Sequence, residues 1–212
     1  MKLVIVIPCF NEREALPFIV PDLVHRCDGL ICVDDGSTDD TWQWLTKCVW
    51  PNLECIHIPH GGHQRALLEG LLYAKGKSDC VITMDADGQH DPRAIPDFIA
   101  KYKEGADIVY GVRRRNPSFF SRLFYALNRG YLVPNHGDYR LISAKVLDTL
   151  TEDSEPFLRG LFANTSFKTA IVEYDEQPRI AGKPTYSLRK RIGLGWMAIK
   201  WRWGRGGIGD AH

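Results

Sequence analysis

Cys80-Val81-Ile82-Thr83-Met84-Asp85-Ala86-Asp87-Gly88-Gln89-His90-Asp91-Pro92 changes character between Met84 and Asp85. The apolar half reads as a buried strand of a parallel sheet, because such strands are covered on both faces. The polar half reads as the loop at that strand's carboxyl end, where ligands bind in open α/β sheets. Asp85 and Asp87, one residue apart, can share one hard divalent cation. Mg²⁺ favours one or two carboxylates together with substrate phosphates. A solvated turn has the same composition, since Asp and Gly are common turn residues. The surrounding chain decides between the two.

Upstream, Leu3-Val-Ile-Val-Ile7 predicts a first buried strand, with Pro8-Cys-Phe-Asn-Glu12 as its terminal loop. Residues 13–27 carry apolar side chains at helical spacing, kept short or irregular by Pro17 and Pro21. Gly29 to Val33 predicts a second strand, ending in Asp34-Asp35-Gly36-Ser37-Thr38-Asp39. Ser37 or Thr38 is the candidate cap of the next helix. A strand over 53–58, a helix over 64–75, the strand at 80–84, a helix from Pro92 to about Lys103 and a strand over 106–111 complete the alternation. Downstream, residues 118–131 look helical and 133–142 read as a loop leading into a short helix through Leu150. Residues 168–174 read as an antiparallel edge strand.

Strands alternating with helices specify a Rossmann-like, mostly parallel sheet flanked by helices. The polar clusters Asn11-Glu12, Asp34-Asp35, Asp85/Asp87 and Arg113–Arg115 all follow strands and should meet along one sheet edge. No Gly-x-Gly-x-x-Gly or P-loop is present. His60 and His63 have no further ligands at zinc-motif spacing.

The chain has 212 residues and a net charge of +1, ordinary for one globular domain. Charge is uneven: eight basic residues and no acid lie between Gln177 and Gly209. Within that stretch Leu188, Ile192, Trp196, Ile199 and Trp203 form one helical stripe. A basic amphipathic helix with tryptophans suits an anionic membrane surface, and a helix docked on the domain is the alternative. The six cysteines form no C-x-x-C pair, pointing to a reducing compartment. No signal peptide and no run of 18 apolar residues is evident, so no transmembrane span is expected.

Taken in order, Pro8-x-Phe-Asn-Glu12, Val33-Asp-Asp-Gly-Ser-Thr-Asp39, Gly70 with Ala74-x-Gly76, Asp85-Ala-Asp-Gly-Gln89, Gly111-x-Arg113, Gly137-Asp-Tyr-Arg-Leu141 and Arg179-x-Ala-Gly182 closely resemble family 2 glycosyltransferases. Among these the chain is most similar to the polyprenyl-phosphate glycosyltransferases, the dolichol-phosphate mannose synthases and bactoprenol glucosyltransferases. The resemblance implies a GT-A fold, a nucleotide-diphosphate sugar donor, Mg²⁺ or Mn²⁺, and a polyprenyl phosphate acceptor. It implies that Pro8, Phe10, Glu12, Val33 and Asp35 hold the nucleoside and that Asp85 and Ala86 contact ribose and phosphates. Asp87, Gln89 and Asp85 would take the metal. Arg113 and Arg179 would neutralise phosphates, and their planar forks suit phosphate oxygens.

Asp138 is the candidate base or acceptor-orienting group, with helix capping as its structural alternative. Arg140 either anchors the acceptor phosphate or pairs with a local acid. Lys183 is the candidate replacement for a family lysine, because Pro184-Thr185 stand where relatives often have Ser-Lys. Residues 1–178 are expected to form the catalytic domain, 179–204 the acceptor loop and amphipathic helix, and 205–212 a flexible tail. Many relatives continue into transmembrane helices. The expectation here is a peripheral enzyme at the cytoplasmic membrane face or one with a membrane-spanning partner. A soluble glycan, protein or modified-DNA acceptor, and a non-catalytic nucleotide-sugar binding protein, are the alternatives. Nucleic acid as a direct partner is not expected.

Overall fold

The computed structural model describes residues 1–114, 136–154 and 166–180. Seven strands form one sheet in the order β3-β2-β1-β4-β6-β5-β7. β1 (Leu3–Cys9), β2 (Gly29–Asp35), β3 (Leu53–Ile58) and β4 (Cys80–Thr83) run parallel. β6 (His136–Ser143) runs antiparallel to both β4 and β5 (Ile108–Arg113), and β7 (Thr169–Tyr174) pairs parallel with β5 at the edge. Helices α1 (Leu16–Val24), α2 (Thr41–Leu45), α3 (His63–Ala74), α4 (Ile95–Lys103) and α5 (Ala144–Leu147) join them, with a 3₁₀ turn at Pro92–Ala94.

β1 shows why the sheet is covered on both sides: all seven of its residues are buried. Leu3, Ile5 and Ile7 pack into a cluster with Leu16, Ile19 and Leu23 of α1 and Phe98 of α4. Val4 and Val6 face the opposite way, into a cluster with Ala66, Leu67 and Leu71 of α3 and Val146 of α5. Each such aliphatic side chain contributes roughly 1.5–3 kcal/mol by leaving water. α3 lies close against the sheet. A Cβ at Gly70 would run into the side chains of Val6 and Val33.

Three expectations need correction. Residues 136–143 are a central strand rather than a loop, and the helix that follows, α5, has Ser143 rather than Asp138 at its N-cap position. The stretch looks polar because its charged residues pair with each other: Arg140, 1% exposed, donates to Asp138. β7 is an edge strand as expected, but it is parallel to its neighbour, a direction that residue alternation does not encode. Ser37 and Thr38 do not cap α2. The Ser37 hydroxyl accepts the Asn11 N–H, and the Thr38 N–H donates to Asn11 Oδ1. The expected helices at 118–131 and 188–203, together with Arg115 and Lys183, lie outside the described residues. Among the described residues no helix is long and apolar enough to cross a membrane.

Candidate functional site

β1, β2 and β4 all end at the same edge of the sheet, and the antiparallel β6 begins there. Thr83 pairs with Arg140, so continuing that register by two residues sets Asp138 level with Asp85. The Thr83 hydroxyl donates to the Asp138 carbonyl and ties the two strands at this point.

At the β1 end, Asn11 adopts φ 56°, a left-handed conformation uncommon for a residue other than glycine. Its side chain is held there, because Oδ1 accepts from the N–H groups of Thr38 at 2.8 Å and Asp39 at 3.3 Å. This arrangement locks the β1 loop to the β2 loop and turns Glu12 toward the β4 end. Glu12 is half-buried beside Asp87. Burial first, and the Asp87 charge second, push its pKa up to about 7.

At the β2 end the two carboxylates are buried. Asp34 Oδ2 contacts His57 Nδ1 at 2.7 Å. Asp35 accepts the Gly61 N–H at 2.7 Å and the Gly62 N–H at 2.9 Å. Gly36 makes the turn between them at φ +64°, and a side chain there would strike the His60 backbone. Phe10 stacks on His60 with ring centroids 4.4 Å apart, and Pro8 and Val33 lie side by side on β1 and β2.

At the β4 end the arrangement is different. Asp87 Oδ2 takes the Arg179 guanidinium at 2.8 Å, and its Oδ1 accepts the Gln89 N–H at 2.9 Å. Arg179 also lies 3.9 Å from Glu12. Ala86 is buried beneath this turn. The segment after β7 is stitched over it: the Gln177 N–H donates to the Gln89 carbonyl and the Ile180 N–H to the Asp87 carbonyl, both at 3.0 Å. Gln89 Nε2 reaches Glu176, which pairs with Arg113 at 3.0 Å.

Asp85 points elsewhere. Its Oδ1 lies 3.4 Å from His63 Nε2, and its Oδ2 lies 3.5 Å from His90 Nε2. His90 is buried, stacked on Tyr139 and edge-on to Tyr174. The Asp85 N–H donates to its Nδ1, so the ring hydrogen sits on Nε2, facing the Asp85 carboxylate. Burial holds this imidazole below its ordinary pKa, and the nearby carboxylates oppose that only in part. Asp138 is clamped from both sides, by Arg140 on Oδ1 and by Gln64 Nε2 at 3.0 Å on Oδ2. His63 Nε2 stands 3.1 Å from that same Oδ2.

The edge therefore gathers Glu12, Asp85, Asp87 and Asp138 with Arg113, Arg140 and Arg179. Of the two roles considered for Arg140, the pairing with a local acid is the contact observed. One ligand atom each from His63, Asp85 and Asp138 lies within 4.8 Å of the others, and Asp85 Oδ1 is buried without a hydrogen bond among the described residues. A mixed nitrogen and oxygen set with such an unsatisfied oxygen fits a divalent cation. His63, Gln64 and His90 were not singled out as site residues from sequence. A signal for His63 existed: it follows β3 and so falls at the same edge as the other clusters.

The Glycosyl transferase family 2 model matches residues 4–161. An uncharacterized glycosyltransferase of Bacillus subtilis, YkoT, is 40% identical over 93% of this chain and 66% of its own length. An undecaprenyl-phosphate 4-deoxy-4-formamido-L-arabinose transferase of Proteus mirabilis is 32% identical over 91% of this chain and 65% of its own. A prophage bactoprenol glucosyl transferase homolog of Escherichia coli is 29% identical over 88% and 67%. The chain thus spans about two thirds of these relatives' length. Among solved structures, S. aureus TarS 1-349 superposes with a TM-score of 0.58 at 19% identity, covering 83% of this chain and 59% of that one, which shows the shared fold. With the family model matched through β1 to residue 161, on a GT-A-like sheet, this chain belongs to glycosyl transferase family 2.

Proposed function

We propose that this chain is the catalytic part of a metal-dependent, inverting glycosyltransferase. It would move a hexose from a nucleotide-diphosphate sugar, UDP-glucose-like or GDP-mannose-like, to a polyprenyl phosphate at the cytoplasmic face of a membrane. The observation that carries this reading is the convergence of four carboxylates and three arginines on one sheet edge. Relatives named as bactoprenol and undecaprenyl-phosphate transferases support the acceptor class.

Pro8, Phe10, Val33 and Asp35 would line the nucleoside end, with Glu12 between it and the diphosphate. Asp85, Asp87 and Gln89 would hold Mg²⁺ or Mn²⁺, which when bound neutralises charge on the departing diphosphate. Arg179, on the strap over Asp87, would turn to a phosphate oxygen, and Arg113 would neutralise a second. An acceptor phosphate is already anionic near neutral pH and needs no strong base. Asp138, locked by Arg140 and Gln64, would orient that acceptor, and Arg140 with Lys183 would stand on its phosphate side. Residues 1–178 would form the catalytic unit. Residues 179–204 would form the membrane-facing part, with anionic lipid or a membrane-spanning protein as neighbour and 205–212 as tail.

The test is a donor panel of UDP-glucose, UDP-galactose, UDP-N-acetylglucosamine and GDP-mannose, each with Mn²⁺ and a short polyprenyl phosphate. A glycolipid product from one donor, abolished in Asp87→Ala, is expected. Donor turnover only with a water-soluble acceptor would overturn the lipid assignment.

A further inference from the structure

We infer that Cys32 and Cys55 form a modification site, a thiol pair that hydrogen peroxide converts to a reversible disulfide between β2 and β3. The site stands apart from the charged cluster at the sheet edge and does not depend on the reaction proposed above. Its oxidant is a small hydroperoxide, and a dithiol reductant returns it to the reduced state.

Strand register is the first ground. Cys32 and Cys55 are direct partners in the parallel pairing of β2 with β3. Neighbouring strands lie about 4.8 Å apart, inside the range of about 4.4–6.8 Å that separates the Cα atoms of bridged cysteines. Both side chains face the same side of the sheet: Cys32 belongs to the core cluster with Leu16 and Leu45, and Cys55 packs against it. The Cys32 sulfur has the Cys55 and Cys9 thiols as hydrogen-bonding neighbours. Cys9 fails on backbone distance. Cys32 pairs with Ile7, two residues before Cys9, which sets the Cα atoms of Cys9 and Cys32 about 8 Å apart, too far to bridge. Cys48, in the turn after α2, gives its thiol hydrogen to the Trp44 carbonyl at 3.4 Å.

The inequality of the two thiols is the second ground. Cys32 is 0% exposed, and burial first, with its sulfur neighbours second, holds its pKa well above the ordinary thiol value. Cys55 is half-buried on an edge strand, and the hydrogen bond from Cys32 lowers its pKa against a smaller opposing effect of burial. Thiolate character therefore gathers on Cys55, the more accessible sulfur, while Cys32 keeps its proton. In its neutral form the Cys55 thiol donates to the Leu45 carbonyl of α2 at 3.7 Å. That helix has five residues and no side-chain cap at its start, so it is a light cover that opens locally.

The Cys55 thiolate attacks one oxygen of hydrogen peroxide. An S–O bond forms, the O–O bond breaks and hydroxide leaves, so the sulfur is oxidised by two electrons and the peroxide reduced. The hydroxide takes up the proton that Cys55 released. The Cys32 thiol then attacks the Cys55 sulfenic acid: the S–S bond forms, the S–O bond breaks, and the hydroxyl departs with the Cys32 proton as water. Two thiols and one peroxide become one disulfide and two waters. In a reducing compartment such bridges are transient and serve redox sensing. The bridge lies three residues before Asp35 on one strand and five before His60 on the other, so it ties together the two segments that meet at the Asp35 carboxylate.

The deciding experiment treats the folded, fully reduced chain with hydrogen peroxide, caps the remaining thiols with iodoacetamide and maps tryptic peptides without reduction. Expected are the loss of two of the six thiols and one cross-link between residues 27–47 and 48–65, which fragmentation places at Cys32 and Cys55. Dithiothreitol should restore both thiols. Cys55→Ala should slow the reaction with peroxide by about 10-fold or more. Cys32→Ala should stop at a sulfenic acid on Cys55, which dimedone labels. Thermal melts establish that the variants fold, and Cys32→Val, which keeps an apolar residue in the strand, replaces Cys32→Ala if that variant does not. A bridge at another pair, a cross-link that forms only in urea, or six intact thiols in the folded chain would overturn the inference.

Discussion

β2 and β4 both end in a pair of aspartates at the same edge of the sheet, and the structure treats the pairs differently. At β2, Asp35 is 1% exposed and accepts the backbone N–H groups of Gly61 and Gly62, with His60 Nδ1 3.0 Å from its Oδ2. The two amide donors are neutral, fixed and present in every state of the folded protein, and the imidazole adds a side-chain contact to them. At β4, Asp85 faces two imidazoles and Asp87 faces an arginine on a strap. Of these partners His90 is buried and fixed, while His63 and Arg179 are partly exposed side chains. An acid held by backbone amides is part of the scaffold, and an acid held by partly exposed side chains would be available for exchange. On the proposed function, two similar motifs would thus divide the work, one shaping the pocket and one receiving a ligand.

Removing charge from the β4 end should have the largest effect. Asp85→Asn is expected to lower product formation about 10³-fold and to abolish the rise in melting temperature caused by Mn²⁺. The ligand-free variant should melt no lower than wild type, because a negative charge leaves a crowded acidic site. If Asp85→Asn destabilises the ligand-free chain as strongly as a β2-end variant, the division between the two ends fails. Asp35→Ala should do the reverse. It leaves two inward-facing N–H groups without their carboxylate and should cost about 2–4 kcal/mol in urea unfolding, with Mn²⁺ binding to the folded fraction retained.

Gly70→Ala tests the helix that serves both ends. The added methyl would push α3 from Val6 and Val33, and overpacking of this kind costs about 1–3 kcal/mol. Calorimetry should show weaker binding of both UDP and Mn²⁺. A different kind of effect, on pH dependence, concerns Glu12. Its pKa rises from 4.5 to about 7 on folding, so the native state binds more protons than the unfolded chain in that window. Stability of the metal-free protein should therefore fall as pH rises from about 4.5 to 7 and change no further above it. Melting curves of Glu12→Gln should lack this slope.

The alternating fold was legible because β1, β2 and β4 are unbroken apolar runs with polar residues at their ends. β6 was not, because Asp138 and Arg140 give it the composition of a loop, and only their mutual pairing makes a buried strand of it. The direction of β7 was hidden for a different reason: alternation reports burial on one face and is blind to polarity along the strand. In the site, Glu12, Asp85, Asp87 and Arg179 announced themselves as charged residues at strand ends or in polar loops, and the structure brings Glu12, Asp87 and Arg179 together, with Asp85 turned to His63 and His90. His63 went unassigned because its partners lie 22 and 75 residues away in sequence, a distance that no local spacing rule spans.

Four consecutive residues, Gly61 to Gln64, touch both strand ends: the glycines hold Asp35, and His63 with Gln64 hold Asp138. A ligand that shifts this short run at one end would be expected to disturb it at the other. On the proposed function, occupancy of the nucleoside end and of the cation position would then be thermodynamically linked. Whatever factor UDP contributes to the affinity for the ion, the ion must contribute to the affinity for UDP. A donor that arrives with its metal would gain from both halves of that cycle, and free nucleotide or free ion from only one.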